Sequence, residues 1–422
     1  MIAMTNFNGI LSNGAGLYTC LNPRLSTFSL NLWIRRGAMH DAPEEAGLAH
    51  FLEHAVFRAI SERMGGRLYA DLYEHGLDFD ATTSDAYVRF EMNGPTESFD
   101  LGLDILLRVL EPPALSVEGL QRERLRVQAE IRENDAENSY DQFARARVWR
   151  DTPLARTIEG TVNAANRVSF ERLAQLHGRW RGRGGFFFSA AGNVPDPEAL
   201  RARLAAIEPG APCPAAVPAL PEAFFRRDAA VHADAQRASH LCFCFDVDAA
   251  SFPPAALALA QDYLLGDNGA LYMALSEDTG LAYGIDGYLQ YCGGVAGLSF
   301  DFGVEPARIE EGVAAVVAAL NAAKSLPDAE LLALRRGMLS LERQRMDDPA
   351  GMACDWGFEN GILNCGWQDA RERLDAFAAV EPEALRGLFR AVFTPDNATL
   401  CALGSPRRVR PEALRAILLK LG

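Results

Sequence analysis

Gly47-Leu-Ala-His50-Phe-Leu-Glu53-His54-Ala-Val-Phe57 puts two imidazoles and a carboxylate on one face of a predicted helix. Asp41, Pro43, Glu44 and Glu45 precede it as N-terminal punctuation, and Leu48, Phe51, Leu52, Ala55 and Val56 then recur at helical spacing. Residues four apart are neighbours on a helix, so His50 and His54 can grip one ion while Glu53 points at the same site. A bare pair of histidines at this spacing is more often a satisfied surface or core pair. The glutamate between them adds what a hydrolytic centre needs, a base beside a metal-bound water, and H-x-x-E-H is the inverted order of the H-E-x-x-H zinc motif. Catalytic zinc takes three protein ligands and keeps a fourth position for water, so a third ligand is required.

Residues 118–147 offer a second helix, with Leu120, Leu125, Val127, Ile131 and Phe143 set among many charges. Glu123 and Glu130 lie seven apart in it, two turns, and share a face. One could bind the metal while the other orients the ligands. Residues 47–57, followed by Glu123-Arg-Leu-Arg-Val-Gln-Ala-Glu130-Ile131, resemble the signature of the pitrilysin/insulinase-type zinc peptidases. In that family a Glu about this far beyond the second His is the third ligand, and Glu130 lies 76 residues after His54. The resemblance therefore assigns His50, His54 and Glu130 to zinc, Glu53 to catalysis and Glu123 to supporting the ligands.

The resemblance reaches further. Gly76-Leu-Asp-Phe-Asp80-Ala81-Thr82-Thr-Ser84 is similar to the family's strand that pairs with substrate backbone at a sheet edge, with Asp80 where an Asn is usual. An ordinary amphipathic strand would read the same way. Gly280-Leu-Ala-Tyr283-Gly resembles a family segment whose Tyr helps to bind substrate in the opposing half. Its usual Arg partners are replaced by Ser276 and Ala270, so a homologous partner subunit is expected to supply the Arg/Tyr pair, or else a second copy in a homodimer.

Composition bounds the remaining classes. The chain has 422 residues and is 49% hydrophobic, enough to bury more than one core. No apolar run is long enough to span a membrane, and Met1-Ile-Ala-Met-Thr-Asn-Phe lacks the pattern of a secretory signal, so the expected location is cytoplasmic. Eight scattered cysteines without a C-x-x-C pair read as reduced thiols, and Cys242-x-Cys244 as core packing in a strand. A net charge of −15 argues against a nucleic-acid partner. Arg179-Trp-Arg181-Gly-Arg183 reads as a local loop cluster, and neither a G-x-S-x-G elbow nor a phosphate-binding glycine loop is present.

The chain also repeats itself. An ungapped offset of 212 places Glu171, Leu173, Leu176 and Gly192 over Glu383, Leu385, Leu388 and Gly404, and Ser29–Trp33 over Leu241–Phe245. It sets His50, Glu53 and His54 over Asp262, Leu265 and Gly266, and Glu130 over Glu342, which reads as a surface carboxylate. The proline-rich stretch 208–228 reads as a linker between a metal-binding domain at 1–207 and a homologous domain without the motif at 229–422. Alternating short apolar strands and longer helical patterns suggest an α+β fold, a mixed sheet packed with helices in each domain. The expectation is a zinc endopeptidase for small or unfolded peptides. Its rivals are a non-catalytic scaffold and a peptide-binding subunit.

Overall fold

The computed structural model describes residues 6–137, 139–212, 229–235, 239–292, 295–405 and 407–422. Cys213 and most of the expected linker, 213–228, lie outside the described residues. Contacts sort the chain into two compact units. The first collects Met1–Glu137, Arg156–Pro218 and Glu342–Arg373, and the second Asn138–Ala155, Ala219–Leu341 and Leu374–Gly422. Each unit therefore takes one segment from the far side of 208–228.

The first unit is built on six strands: β1 (Asn8–Ile10), β2 (Gly16–Leu21), β3 (Thr27–Ile34), β4 (Asp78–Thr83), β5 (Val88–Pro95) and β6 (Phe186–Gly192). Their order is β1-β2-β6-β3-β5-β4, with β2 and β6 parallel and the other neighbours antiparallel. Period-2 alternation divides the work of β3. Phe28, Leu30, Leu32 and Ile34 join the core shared with the helices, while Trp33 lies on the opposite face. There Trp33 Nε1 donates to Ser189 Oγ at 2.9 Å, and Ser189 donates to the Ala353 carbonyl at 2.7 Å in helix 349–357. Gly357 permits that approach, because a Cβ on it would lie 2.5 Å from both Trp33 Nε1 and Ser189 Oγ.

Helices of this unit include α1 (Leu48–Arg63), α2 (Leu68–Glu74), α3 (Phe99–Leu107) and α4 (Val117–Glu137), of which α1, α2 and α4 bear on the site. Leu48, Phe51, Leu52, Val56 and Ile60 of α1 are all buried in the core. At roughly 2 kcal/mol for each large apolar side chain removed from water, packing and not the histidines fixes where α1 lies. The helix expected over 118–147 is described as α4 up to Glu137 and, past residue 138, which lies outside the described residues, as α5 (Ser139–Val148), which sorts with the second unit.

The second unit contains β7 (Ala230–Ala235), β8 (His240–Asp248), β9 (Asp286–Cys292), β10 (Val295–Gly303) and β11 (Ala398–Gly404), ordered β7-β11-β8-β10-β9. Its one parallel pair is β11 with β7. This is the first sheet without β1, strand for strand, so both units are mixed α+β sheets of one topology. The ungapped offset of 212 misplaces several elements: β9 begins 208 residues after β4, and β10 begins 207 after β5. Helix Pro254–Leu265 begins 206 residues after α1, which sets the buried Ala256, Leu259 and Ala260 against His50, Glu53 and His54. Glu342 also corrects the expectation of a surface carboxylate: it is 1% exposed and ion-paired with the buried Arg373. Cys242, Cys244 and Cys401 pack together beneath Ala144 of α5, and no disulfide links the described cysteines. Among the described residues, no helix is long and apolar enough to cross a membrane.

Candidate metal centre

The site begins where α1 begins. The expected punctuation is a 3-10 turn at Pro43–Glu45, and the capping group is Asp41, whose Oδ2 accepts from the Gly47 and Ala49 amides at 3.1 Å each. Burial pushes the Asp41 carboxyl up to about 7, against the hydrogen bonds from Ala49, Gly47 and Leu48. Gly47 has φ +91°, and a Cβ there would lie 2.2 Å from the Glu159 carbonyl, so glycine is required at this entry.

Within the first two turns, His50 and His54 meet Glu130 of α4. Glu130 Oε1 lies 3.4 Å from His50 Nε2, and Oε2 lies 3.3 Å from His54 Nε2. All three ligand atoms fall within 4.8 Å of one another. Two imidazoles and a carboxylate are a donor set that suits zinc, and a tetrahedral ion with bonds of roughly 2.0–2.1 Å has ligand-to-ligand edges of about 3.3–3.4 Å, a geometry the three side chains approach with a different Glu130 oxygen facing each histidine. The field also favours positive charge. Burial opposes protonation of His54, but the bonds to Glu123 and Glu130 outweigh it and push this imidazole up to about 9. Hydrogen bonds to His50 and His54 hold the Glu130 carboxyl well below the usual carboxylate range, against a smaller effect of burial.

Glu123 stands behind His54, its Oε2 3.5 Å from His54 Nδ1, and is 1% exposed. Burial alone would raise its pKa; His54 and Arg58 reverse that and lower it. Arg58 donates through Nε to Glu123 Oε1 at 2.6 Å. Metal-bound histidines are commonly oriented by a carboxylate on their other nitrogen, and His54 has one. His50 Nδ1 is buried and finds no acceptor among the described residues.

Glu53 is held from the sheet side, where its Oε2 accepts from Thr83 Oγ1 at 2.6 Å. Both line a cleft of about 550 Å3 with His50, His54, Glu130, Asp80 and Ala81. Its aromatic wall includes Phe57 and Phe79, with ring centroids 4.6 Å apart. β4 is the last strand of its sheet, so the expected edge strand does lie at an edge, beside the histidines. Thr82 does not line the cleft, whereas Thr83 does. Tyr283 belongs to the second unit and is fully exposed, so no packing holds it; Ala270 and Ser276 lie on helical turns of that unit.

Sequence reasoning missed Arg58 and Thr83. Neither carried a signal that set it apart from the other polar residues of its element.

Fold and site together define a duplicated α+β protein with a three-ligand pocket suited to a divalent metal. Residues 21–162 match the family described as insulinase (peptidase family M16), and residues 167–338 match the peptidase M16 inactive domain. The chain belongs to peptidase family M16. It is 26% identical over 200 residues to an uncharacterized zinc protease of Rickettsia bellii, a match spanning 46% of this chain and 48% of that protein. It is 29% identical over 165 residues to the mitochondrial-processing peptidase subunit beta of Lentinula edodes, spanning 38% of this chain and 35% of that one. Among solved structures, the peptidase M16 inactive domain from Pseudomonas fluorescens superposes with a TM-score of 0.80 at 15% identity, covering 97% of this chain and all of that one.

Proposed function

We propose that this chain is a zinc-dependent endopeptidase acting on small or unfolded peptides. The observation that carries the reading is one carboxylate, Glu130, facing both histidines, with the three ligand atoms within 4.8 Å of one another in the cleft that also holds Glu53. His50, His54 and Glu130 would hold the ion. When bound, zinc would polarise the scissile carbonyl and acidify a water.

The chain's own residues would do the rest. Glu53, fixed by Thr83, would take the proton of the attacking water and return it to the leaving amine. Glu123 would keep the His54 ring in register, and Arg58 would hold Glu123. The open edge of β4 would align an extended peptide, with Asp80, Ala81 and Thr82 beside its backbone.

A homologous partner chain completes this proposal. Ser276 and Ala270 offer no guanidinium, and Tyr283 is exposed and without a packing role, which supports a heterodimer whose partner supplies the Arg/Tyr pair. On this reading the halves 1–207 and 229–422 descend from one duplicated domain, of which only the first kept the metal residues. A non-catalytic peptide-binding or scaffold subunit is the second reading, favoured by one observation: the two histidines and Glu130 already lie within ion-pairing distance of one another.

Chelation, repurification and reloading with zinc separate the two readings, with incubated peptides followed by mass spectrometry. The peptidase loses cleavage on chelation and regains it on reloading. A scaffold binds no stoichiometric zinc and cuts nothing in either state. Adding the homologous partner should raise turnover; equal rates with and without it would remove the heterodimer from the proposal.

A further inference from the structure

An edge strand leaves one side of its backbone without a strand partner, and proteins commonly blunt such edges with charge. β4 is such a strand, and its Ala81 N–H donates to the carboxylate Oδ1 of the preceding residue, Asp80, at 2.8 Å. An amide whose acceptor is an exposed side chain is no rung of the β4–β5 ladder; it faces the open edge. Asp80 and Ala81 both line the cleft that holds His50, Glu53, His54 and Glu130. The amide best placed for a substrate carbonyl is thus already occupied from within the strand.

Displacing that contact is unfavourable for a neutral peptide. A carboxylate accepts a hydrogen bond more strongly than a peptide carbonyl does, and once displaced it needs a new partner. A lysine or arginine side chain on the incoming peptide provides one, pairing with Asp80 while the peptide's own carbonyl takes the Ala81 amide. The surrounding charge points the same way. Apart from Glu53 and the metal cluster, the charged side chains lining the cleft are Asp80, Glu159 and Arg126, an excess of acid among the described residues.

We infer that Asp80 is a charge-operated latch on the β4 edge, making the site selective for peptides with a basic side chain near the carbonyl that pairs with Ala81. The inference rests on the reading of β4 as the peptide-binding edge. It makes Asp80 a specificity-determining residue, not a catalytic one.

The test uses peptide pairs that differ only by lysine against norleucine, scanned one position at a time. kcat/KM is measured on the zinc-loaded protein, and Kd by fluorescence anisotropy on Glu53→Gln. The wild type should prefer the lysine member by about fivefold at one position, the size of a solvent-exposed ion pair near 1 kcal/mol. Asp80→Asn and Asp80→Ala should bring that ratio close to one, chiefly through a lower KM for the norleucine peptide. A purely structural role would change both peptides equally and leave the ratio intact.

A wild-type ratio of one at every position, or a ratio that survives both substitutions, overturns the latch. If peptides are cut without that preference, the latch falls and the peptidase reading stands. If Glu53→Gln binds lysine peptides preferentially while the loaded wild type cuts none, the latch stands and the peptidase reading falls. Peptides neither bound nor cut overturn both.

Discussion

Glu130 and Glu342 occupy repeat-equivalent positions in the two halves of the sequence, and their surroundings give them opposite tasks. The Glu130 side chain is 37% exposed and is shared between two imidazoles at the wall of a cleft. Glu342 is 1% exposed and locked to Arg373, which also reaches Glu359 at 2.7 Å. The helices that start each site differ likewise: α1 presents His50, Glu53 and His54, where the helix at Pro254–Leu265 presents Ala256, Leu259 and Ala260 to its core. A duplicated carboxylate becomes a ligand candidate only where the opposing helix offers lone pairs. Where a guanidinium is offered instead, it becomes a buried ion pair.

Substitutions in each region sharpen this contrast. The largest effect is expected at His50→Ala, which removes one of three ligands: zinc content should fall from stoichiometric to background by elemental analysis, and peptide hydrolysis with it. Glu342→Ala should do the reverse. Zinc stoichiometry stays intact, while stability drops by about 1.5–3 kcal/mol because buried Arg373 loses one charged hydrogen-bond partner and keeps Glu359. Denaturant titration measures that loss, and an unchanged midpoint would dissolve the distinction between the two carboxylates.

Smaller effects fall on the supporting shell. Glu123→Gln keeps a side chain of the same size beside His54 but removes the charge, and zinc affinity by competition with a chelator should weaken by roughly 10–100-fold. Thr83→Val should leave zinc affinity unaltered and lower kcat by about fivefold, the worth of one hydrogen bond near 1 kcal/mol orienting Glu53. A change in KM alone would place Thr83 with the substrate and not with the base.

The parts of this architecture legible in sequence are those with a period or a spacing. The His50, Glu53 and His54 face followed from helical geometry, the alternation in Phe79-Asp80-Ala81 from strand geometry, and Glu130 from its family spacing to His54. Arg58 and Thr83 lie outside such patterns, because polar partners that meet across elements leave no periodic trace. The repeat was visible, but an ungapped offset cannot absorb a connection that shortens. The stretch from β3 to α1 holds two 3-10 turns that the stretch from β8 to the helix at Pro254 lacks, and that moved the register by six residues. Nor does a sequence state which sheet a helix will cover. α5 and the segment 342–373 each joined the unit across 208–228, since an amphipathic helix specifies an apolar face but not the partner that buries it.

Paired zinc analysis and turnover on purified Glu53→Gln test the central claim most directly. The account predicts one zinc per chain, as in the wild type, with peptide hydrolysis reduced to background. Cleavage at the wild-type rate would remove Glu53 as the base, and absence of bound zinc from both proteins would contradict the metal centre itself.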